Sequence, residues 1–276
     1  MRLPTFIVGG AQKAGTSWLS RNLARHPEVF VAPGEIHFFD SDTNFRRGVA
    51  WYAAHFAESG ASTAIGEKSP GYLNLIRTTE CQAHVPKRVR AIIPDVRLIF
   101  ILRDPVHRAI SAARHHIFRR RISPMASLDD VLFGHHSDFS RAWGLLSAGR
   151  YAANLQPYLD VFDRRQLRIW ILEEDVASDP EGMMRDVISF LDLSVTTDYK
   201  VMLRRFNVGL RTRACLAANY YFPQLSLVWG CVDRTVQHFA PIQEEESLRS
   251  RLYDYYREDN EALFAMLGRR IPSWEH

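Results

Sequence analysis

Thr5-Phe-Ile-Val-Gly-Gly-Ala-Gln-Lys-Ala-Gly-Thr-Ser17 passes from a short apolar run through a glycine-rich turn into residues with helical spacing. A strand, a tight loop and a helix in that order are how a chain builds an anion cradle. Gly9, Gly10 and Gly15 let the backbone approach a phosphate closely. The helix expected to open at Thr16 brings unpaired N–H groups and the positive end of its dipole. Lys13 adds a full charge, and Thr16 and Ser17 add hydroxyl donors, so Gly10, Gln12, Lys13, Ala14, Gly15, Thr16 and Ser17 form the expected phosphate loop. The stretch is close to G-x-x-x-x-G-K-[ST], but here the lysine precedes the last glycine, as Lys13-Ala-Gly15-Thr-Ser17. In the standard loop that lysine reaches the β/γ-phosphates and the next hydroxyl holds Mg²⁺. The displaced lysine therefore argues for a shorter anionic group held without metal.

Working outward, apolar runs predict strands at Thr5 to Val8, Val29 to Val31, Thr63 to Gly66, Val96 to Leu102 and Leu167 to Leu172. Helical spacing is found at Thr16 to Arg25, Val49 to Phe56, Pro86 to Ile93, Pro105 to about Arg120, Tyr151 to Phe162, from Pro180 onward, and Glu244 to Leu267. Alternating strands and helices predict a three-layer α/β fold, a central parallel sheet flanked by helices. Ligands of such sheets bind beyond the carboxyl ends of the strands. Glu35 and His37 follow the second strand, Glu67 and Lys68 the third, and Arg103 the fourth, so all are expected at that edge. The pattern is loose from Ile122 to Gly149 and from Arg204 to Ile242. Without a repeat or linker, residues 1–276 read as one unit, with a core at about 5–193 and residues 194–276 completing the nucleotide and acceptor sites.

Several segments together resemble the PAPS-dependent sulfotransferases, whose fold is related to that of P-loop kinases. Their 5′-phosphosulfate loop follows the first strand and carries lysine, glycine and Thr/Ser in the order of Lys13, Gly15, Thr16 and Ser17. Glu35-Ile-His-Phe-Phe-Asp40 is similar to the Lys-Glu-x-His-Phe-Phe segment of the heparan-type and related bacterial members, with Gly34 where many carry lysine. Glu67-Lys-Ser-Pro70 is similar to their Glu-Lys-[ST]-Pro stretch, and the spacing from Lys13 through Glu35 and His37 to Lys68 resembles that of the glucosaminyl sulfotransferases. Arg103-Asp-Pro-Val-His-Arg-Ala-Ile-Ser111 resembles the family's 3′-phosphate motif.

The resemblance implies transfer of a sulfonate from PAPS to a hydroxyl or amine, leaving PAP. Glu35 is the expected general base, Lys13 and Lys68 the electrostatic stabilisers, and His37 a group that orients the acceptor, supports Glu35 or is itself the base. Arg103 and Ser111 would grip the 3′-phosphate, and Arg211 and Arg213 stand for the basic loop that closes over the nucleotide. The family's Arg-Lys-Gly signature in that loop is missing. The alternatives are a metal-dependent nucleotide or small-molecule kinase, and a non-catalytic module that binds nucleotide or glycan.

Composition narrows the setting. With 35 basic against 31 acidic residues and a net charge of +4, the chain suits an anionic ligand but is too evenly balanced to imply nucleic acid. Leu98 to Leu102 is strand-sized, so no membrane span is expected, and Met1 to Pro4 leave no room for a signal peptide. These features lead to the expectation of a cytoplasmic enzyme acting on a small molecule, as in natural-product biosynthesis, or on a glycan precursor; oligomeric state is left open. Cys81, Cys215 and Cys231 have neither disulfide nor zinc spacing, and His115, His116, His135 and His136 show no carboxylate or cysteine at ligand spacing, so no metal is expected. Arg114 to Arg121 reads as a solvated helix face, and Trp143, Tyr220, Tyr221 and Trp229 as core.

Overall fold

In the computed structural model, which describes residues 1–75, 84–194, 212–239 and 246–275, the apolar runs do pair as strands. Among the described residues β1 (Phe6–Gly10), β2 (Val29–Val31), β3 (Ala64–Lys68), β4 (Arg97–Leu102) and β5 (Leu167–Ile171) form one sheet in the order β2-β3-β1-β4-β5. Every pairing is parallel: Phe6 lies opposite Gly66 and Arg97, Val31 opposite Gly66, and Leu102 opposite Ile171. A parallel sheet covered on both faces needs continuous apolar strands, and Leu98 to Leu102 are all essentially inaccessible. Gly66 is dictated by packing, because a Cβ there would lie 2.1 Å from Cζ of Phe6, whose ring crosses the β1–β3 ladder.

The helices are set by local chemistry. Helix α1 (Thr16–Leu23) begins at Gly15 in the left-handed conformation. Helix α2 (Gly48–Ala54) carries Tyr52 into the core. Helix α3 (Pro105–Phe118) has proline in its first turn, and Asp104 caps it by accepting from the amides of Val106 and His107 at 2.7 and 3.1 Å. Helix α4 (Tyr151–Leu159) and helix α5 (Pro180–Phe190) flank β5 in sequence. Two apolar clusters result. The larger surrounds the sheet; the smaller joins Val106, Ile110 and Ile117 to Leu216, Leu248 and Leu252.

Some boundaries move. β1 continues through Gly10 and β3 through Lys68, so Glu67 and Lys68 lie within the strand rather than beyond it. The loosely patterned region after Ile122 holds short helices at Leu128–Leu132 and Ser137–Trp143, and the later one holds helices α6 (Arg213–Tyr221) and α7 (Ser226–Phe239) before the closing helix α8 (Glu246–Leu267). Trp143 and Tyr221, expected as core, are 38% and 61% exposed. His135 does have a carboxylate, Asp130, 2.9 Å away, although no group of three His, Cys, Asp or Glu side chains suited to a metal occurs among the described residues. Cys215 is buried, Cys231 exposed, and both are free; Cys81 is outside the described residues.

Candidate active site

The sheet order places the site. From β1 the chain crosses to β2 on one side, and from β4 it passes to β5 on the other, so the carboxyl ends of β1 and β4 form the switch point of an open parallel sheet. The loop leaving β1 is anchored where the Ala11 amide donates to the Ile101 carbonyl of β4 at 2.8 Å. Lys13 has φ 69° and Gly15 φ 93°, a left-handed pairing that turns the loop into α1. No side chain caps that helix, so the positive end of its dipole is available to an anion. Thr16 and Ala14 are buried, Lys13, Gly15 and Ser17 half-buried, and Gln12 exposed. Gly10 is buried inside the strand, where a Cβ would lie 2.5 Å from Leu73 Cβ.

Arg103 reaches this loop from the end of β4. Its Nη1 donates to the Lys13 carbonyl at 3.2 Å, and its own carbonyl accepts from the Tyr151 hydroxyl at 2.8 Å. Burial and the neighbouring Arg103 guanidinium both hold the Lys13 ammonium below its ordinary range. Two cations concentrated in a partly desolvated cleft favour a multiply charged anion, and with an open helix N-terminus the residues fit a nucleotide phosphate group. Ser111 is half-buried in the second turn of α3. Arg213 is exposed and donates to the Met125 carbonyl at 2.8 Å, beyond the C-terminal end of α3; Arg211 lies outside the described residues.

A second charged group occupies the ends of β2 and β3. Lys68 Nζ lies 2.6 Å from Glu35 Oε1, and His37 Nε2 lies 3.3 Å from Glu35 Oε2. The far side of the imidazole is held by Asp40, with Nδ1 3.0 Å from Oδ2. Partial burial pushes the Glu35 carboxyl up, but hydrogen bonds from His37 and Lys68 outweigh it and hold the group at about 2. Asp40 first, then Glu35, raise His37 to about 10, so this histidine is an imidazolium at neutral pH. Glu35, His37 and Lys68 are thus brought together, as are Lys13 and Arg103.

Asp40, Gly71, His115 and Glu173 also belong to the site, whereas Glu67, expected at the sheet's ligand edge, is buried in the core. Asp40 orients His37, and Gly71 makes room for the pair, since a Cβ there would stand 2.5 Å from Asp40 Oδ2. His115 of α3 is within electrostatic reach of both Lys13 and Glu35; burial, Lys13, Arg119 and Arg121 lower it to about 4, so it faces them neutral. Glu173, after β5, stands 3.9 Å from Arg103 Nε and accepts the Asp104 amide at 3.2 Å and the Trp274 indole N–H at 3.2 Å. Glu67 is fully buried, and desolvation outweighs its hydrogen bonds and raises it to about 7. The i, i+4 interval from Ser111 to His115 along α3 is the sequence signal that could have pointed to His115.

Comparison with known proteins adds to this geometry. The model of the sulfotransferase family matches residues 4–198. Heparan sulfate glucosamine 3-O-sulfotransferase 3B1 of Mus musculus is 31% identical over 97% of this chain, and the chain spans 64% of that relative's length. Heparan sulfate glucosamine 3-O-sulfotransferase 6 of Homo sapiens is 29% identical, with 97% of this chain and 72% of the relative covered. The crystal structure of a sulfotransferase from Alicyclobacillus acidocaldarius superposes with a TM-score of 0.75 at 25% identity over 100% of both chains. The sulfotransferase domain from the curacin biosynthetic pathway shares the fold, with a TM-score of 0.52 at 14% identity over 92% of this chain and 98% of that one.

Proposed function

The chain belongs to the sulfotransferase family, and from that membership we propose that it transfers a sulfonate from PAPS to a hydroxyl or amine of a glycan acceptor. The observation that carries this reading is the convergence of two charged groups on one sheet edge: Lys13 with Arg103, and Glu35 with His37 and Lys68. The first suits a nucleotide phosphate and the second suits proton removal beside a migrating anionic group. Glucosamine in the relatives' names supports an amino-sugar acceptor. A small intracellular metabolite is the competing acceptor class.

The loop from Gly10 to Ser17 would hold the 5′-phosphosulfate, with Lys13 countering the charge that builds on the bridging oxygen as the S–O bond breaks. Arg103 and Ser111 would hold the 3′-phosphate, with the Arg103 guanidinium placed beside the loop by its hydrogen bond to the Lys13 carbonyl. Arg211 and Arg213 are assigned to closure over the nucleotide. Glu35 takes the acceptor proton while the acceptor's electron pair forms the new bond to sulfur, and the electrons of the broken bond leave on the phosphate of PAP.

At rest Glu35 is a weak base because Lys68 and His37 both hold it ionised. Lys68 is only 14% exposed and sits at the cleft, so an arriving sulfonate gives it a second anion to face. As Lys68 turns to the sulfonate, Glu35 loses one of the two cations that hold it ionised, and its proton affinity rises as the chemistry begins. His37, fixed by Asp40, remains to orient carboxylate and acceptor.

Purified protein incubated with PAPS and either heparan sulfate or a metabolite extract should yield a product heavier by one SO₃ in mass spectra. Glu35→Ala should remove that product and leave PAP binding within about twofold by calorimetry. Wild type that binds PAP yet sulfates neither acceptor preparation would argue against these acceptor classes. Absence of PAP binding would overturn the reaction class.

A further inference from the structure

Glu67 is a fully buried carboxyl on β3 that takes no part in the steps above. Its contacts are hydroxyls: Oε1 accepts from Tyr52 at 2.5 Å and Tyr72 at 3.1 Å, and Oε2 accepts from Ser69 at 2.8 Å. Two of those hydroxyls also serve the segment that carries the acceptor-side residues. The Tyr72 oxygen accepts the Phe38 amide at 3.0 Å, and Ser69 Oγ accepts the His37 amide at 3.3 Å.

A hydroxyl has one proton. If it gives that proton to a carboxylate, its lone pairs are left to receive an amide N–H. Glu67 therefore fixes the direction of the chain, with each amide donating to a hydroxyl and each hydroxyl donating to the carboxylate. An amide side chain in its place would aim N–H at one of these hydroxyls, whose own proton would then lose its buried acceptor.

The segment needs such an anchor. His37 has φ 51°, a left-handed conformation that is unfavourable for a non-glycine residue and persists only when neighbours impose it. Besides Ser69, Asn44 Nδ2 holds the His37 carbonyl at 3.1 Å. Phe38 stacks on Tyr52 with ring centroids 4.3 Å apart, and Phe39 meets Tyr72 edge-on at 5.6 Å, an apolar sheath around the polar chain. Such networks order a structure when every member is satisfied.

We propose that Glu67 is a positioning residue for sulfonate transfer: its carboxylate directs the Ser69 and Tyr72 hydroxyls onto the backbone of His37 and Phe38, and so sets Glu35 and His37 against the acceptor. The assignment rests on the proposed reaction, but its structural half stands apart from it. It assigns Glu67 no contact with either substrate.

Glu67→Gln, Tyr72→Phe and the double variant test this at about pH 8.5, where the wild-type carboxyl is ionised. Hydrogen exchange should speed up at least tenfold at the His37 and Phe38 amides in Glu67→Gln, while β1 and β4 keep wild-type protection. With PAPS and heparan sulfate as acceptor, kcat should fall at least tenfold with KM for PAPS and Kd for PAP unchanged. The double variant should be no slower than the slower single one, since both break one chain. Unchanged exchange at His37 and Phe38 would overturn the proposal, as would equal loss of protection across the sheet or additive effects on kcat. If the wild type itself neither binds PAP nor forms product, the sulfotransferase reading fails, and the exchange measurement still decides whether Glu67 orders this segment.

Discussion

His37 is placed between two carboxylates, and that placement decides its charge. With Asp40 on Nδ1 and Glu35 on Nε2, the proton on each ring nitrogen has an acceptor, which is why the group is raised to about 10. A histidine NMR titration should show this ring protonated through neutral pH and titrating near pH 10, and Asp40→Asn should draw it well back toward 6.5. The linked stability has two limbs. The His37 contribution is complete below its unfolded value of 6.5 and is lost as pH rises through about 10; the Glu35 contribution is complete above 4.5 and is lost as pH falls through about 2. Both are complete only between 4.5 and 6.5. Glu35, His37 and Lys68 were legible in the sequence because each stands in a motif next to a strand end. The role of Asp40 and the burial of Glu67 were not: an interval of three residues in a loop gives no side-chain direction, and Glu67, expected at the ligand edge beside Lys68, is sent inward by the alternation along β3, a choice that appears only with the pairing register.

Glycines in the strand–loop–helix unit separate packing from binding at the scale of elements. Gly66→Ala would push a methyl into the Phe6 ring across the β1–β3 ladder, and both elements are buried, so neither can yield easily. Denaturant unfolding should show a loss of about 3 kcal/mol or more with m unchanged. Gly15→Ala meets only Leu172 Cδ1 at 3.1 Å, but φ 93° is strained for any side chain. Its loop would relax away from the anion-binding turn, so PAP affinity should drop about tenfold or more while stability falls by about 1–3 kcal/mol. The same unit shows what a sequence reveals. Apolar runs announced all five described strands, since strands buried on both faces must be apolar throughout. Their ends were missed where Glu67, Lys68, Gly9 and Gly10 continue a strand, because backbone pairing there does not depend on an apolar side chain.

Across the whole molecule the nucleotide side of the site is assembled from distant parts: Lys13 after β1, Arg103 after β4, Glu173 after β5, and Trp274 beyond α8. The Trp274–Glu173 bond spans 101 residues of chain, and no local pattern signals a contact of that kind, which is why the C-terminal third was the least legible. It also makes an indirect effect testable. Glu173 divides its carboxylate among the Trp274 indole, the Asp104 amide and Arg103, and the Arg103 approach at 3.9 Å is loose. Trp274→Phe keeps an aromatic ring beside Tyr151, whose centroid is 5.8 Å away, but removes the N–H. The carboxylate then has one fewer donor and pairs more closely with Arg103, which competes with a nucleotide phosphate for the same guanidinium. A hydrogen bond of about 1 kcal/mol transferred in this way corresponds to a roughly fivefold higher Kd for PAP. Arg103→Ala removes the competed-for group and should itself weaken PAP by more than tenfold; adding Trp274→Phe to it should then cost no further affinity. Calorimetric titrations of the two single variants and the double variant decide the matter, since an independent effect of Trp274 would appear in full in the Arg103→Ala background.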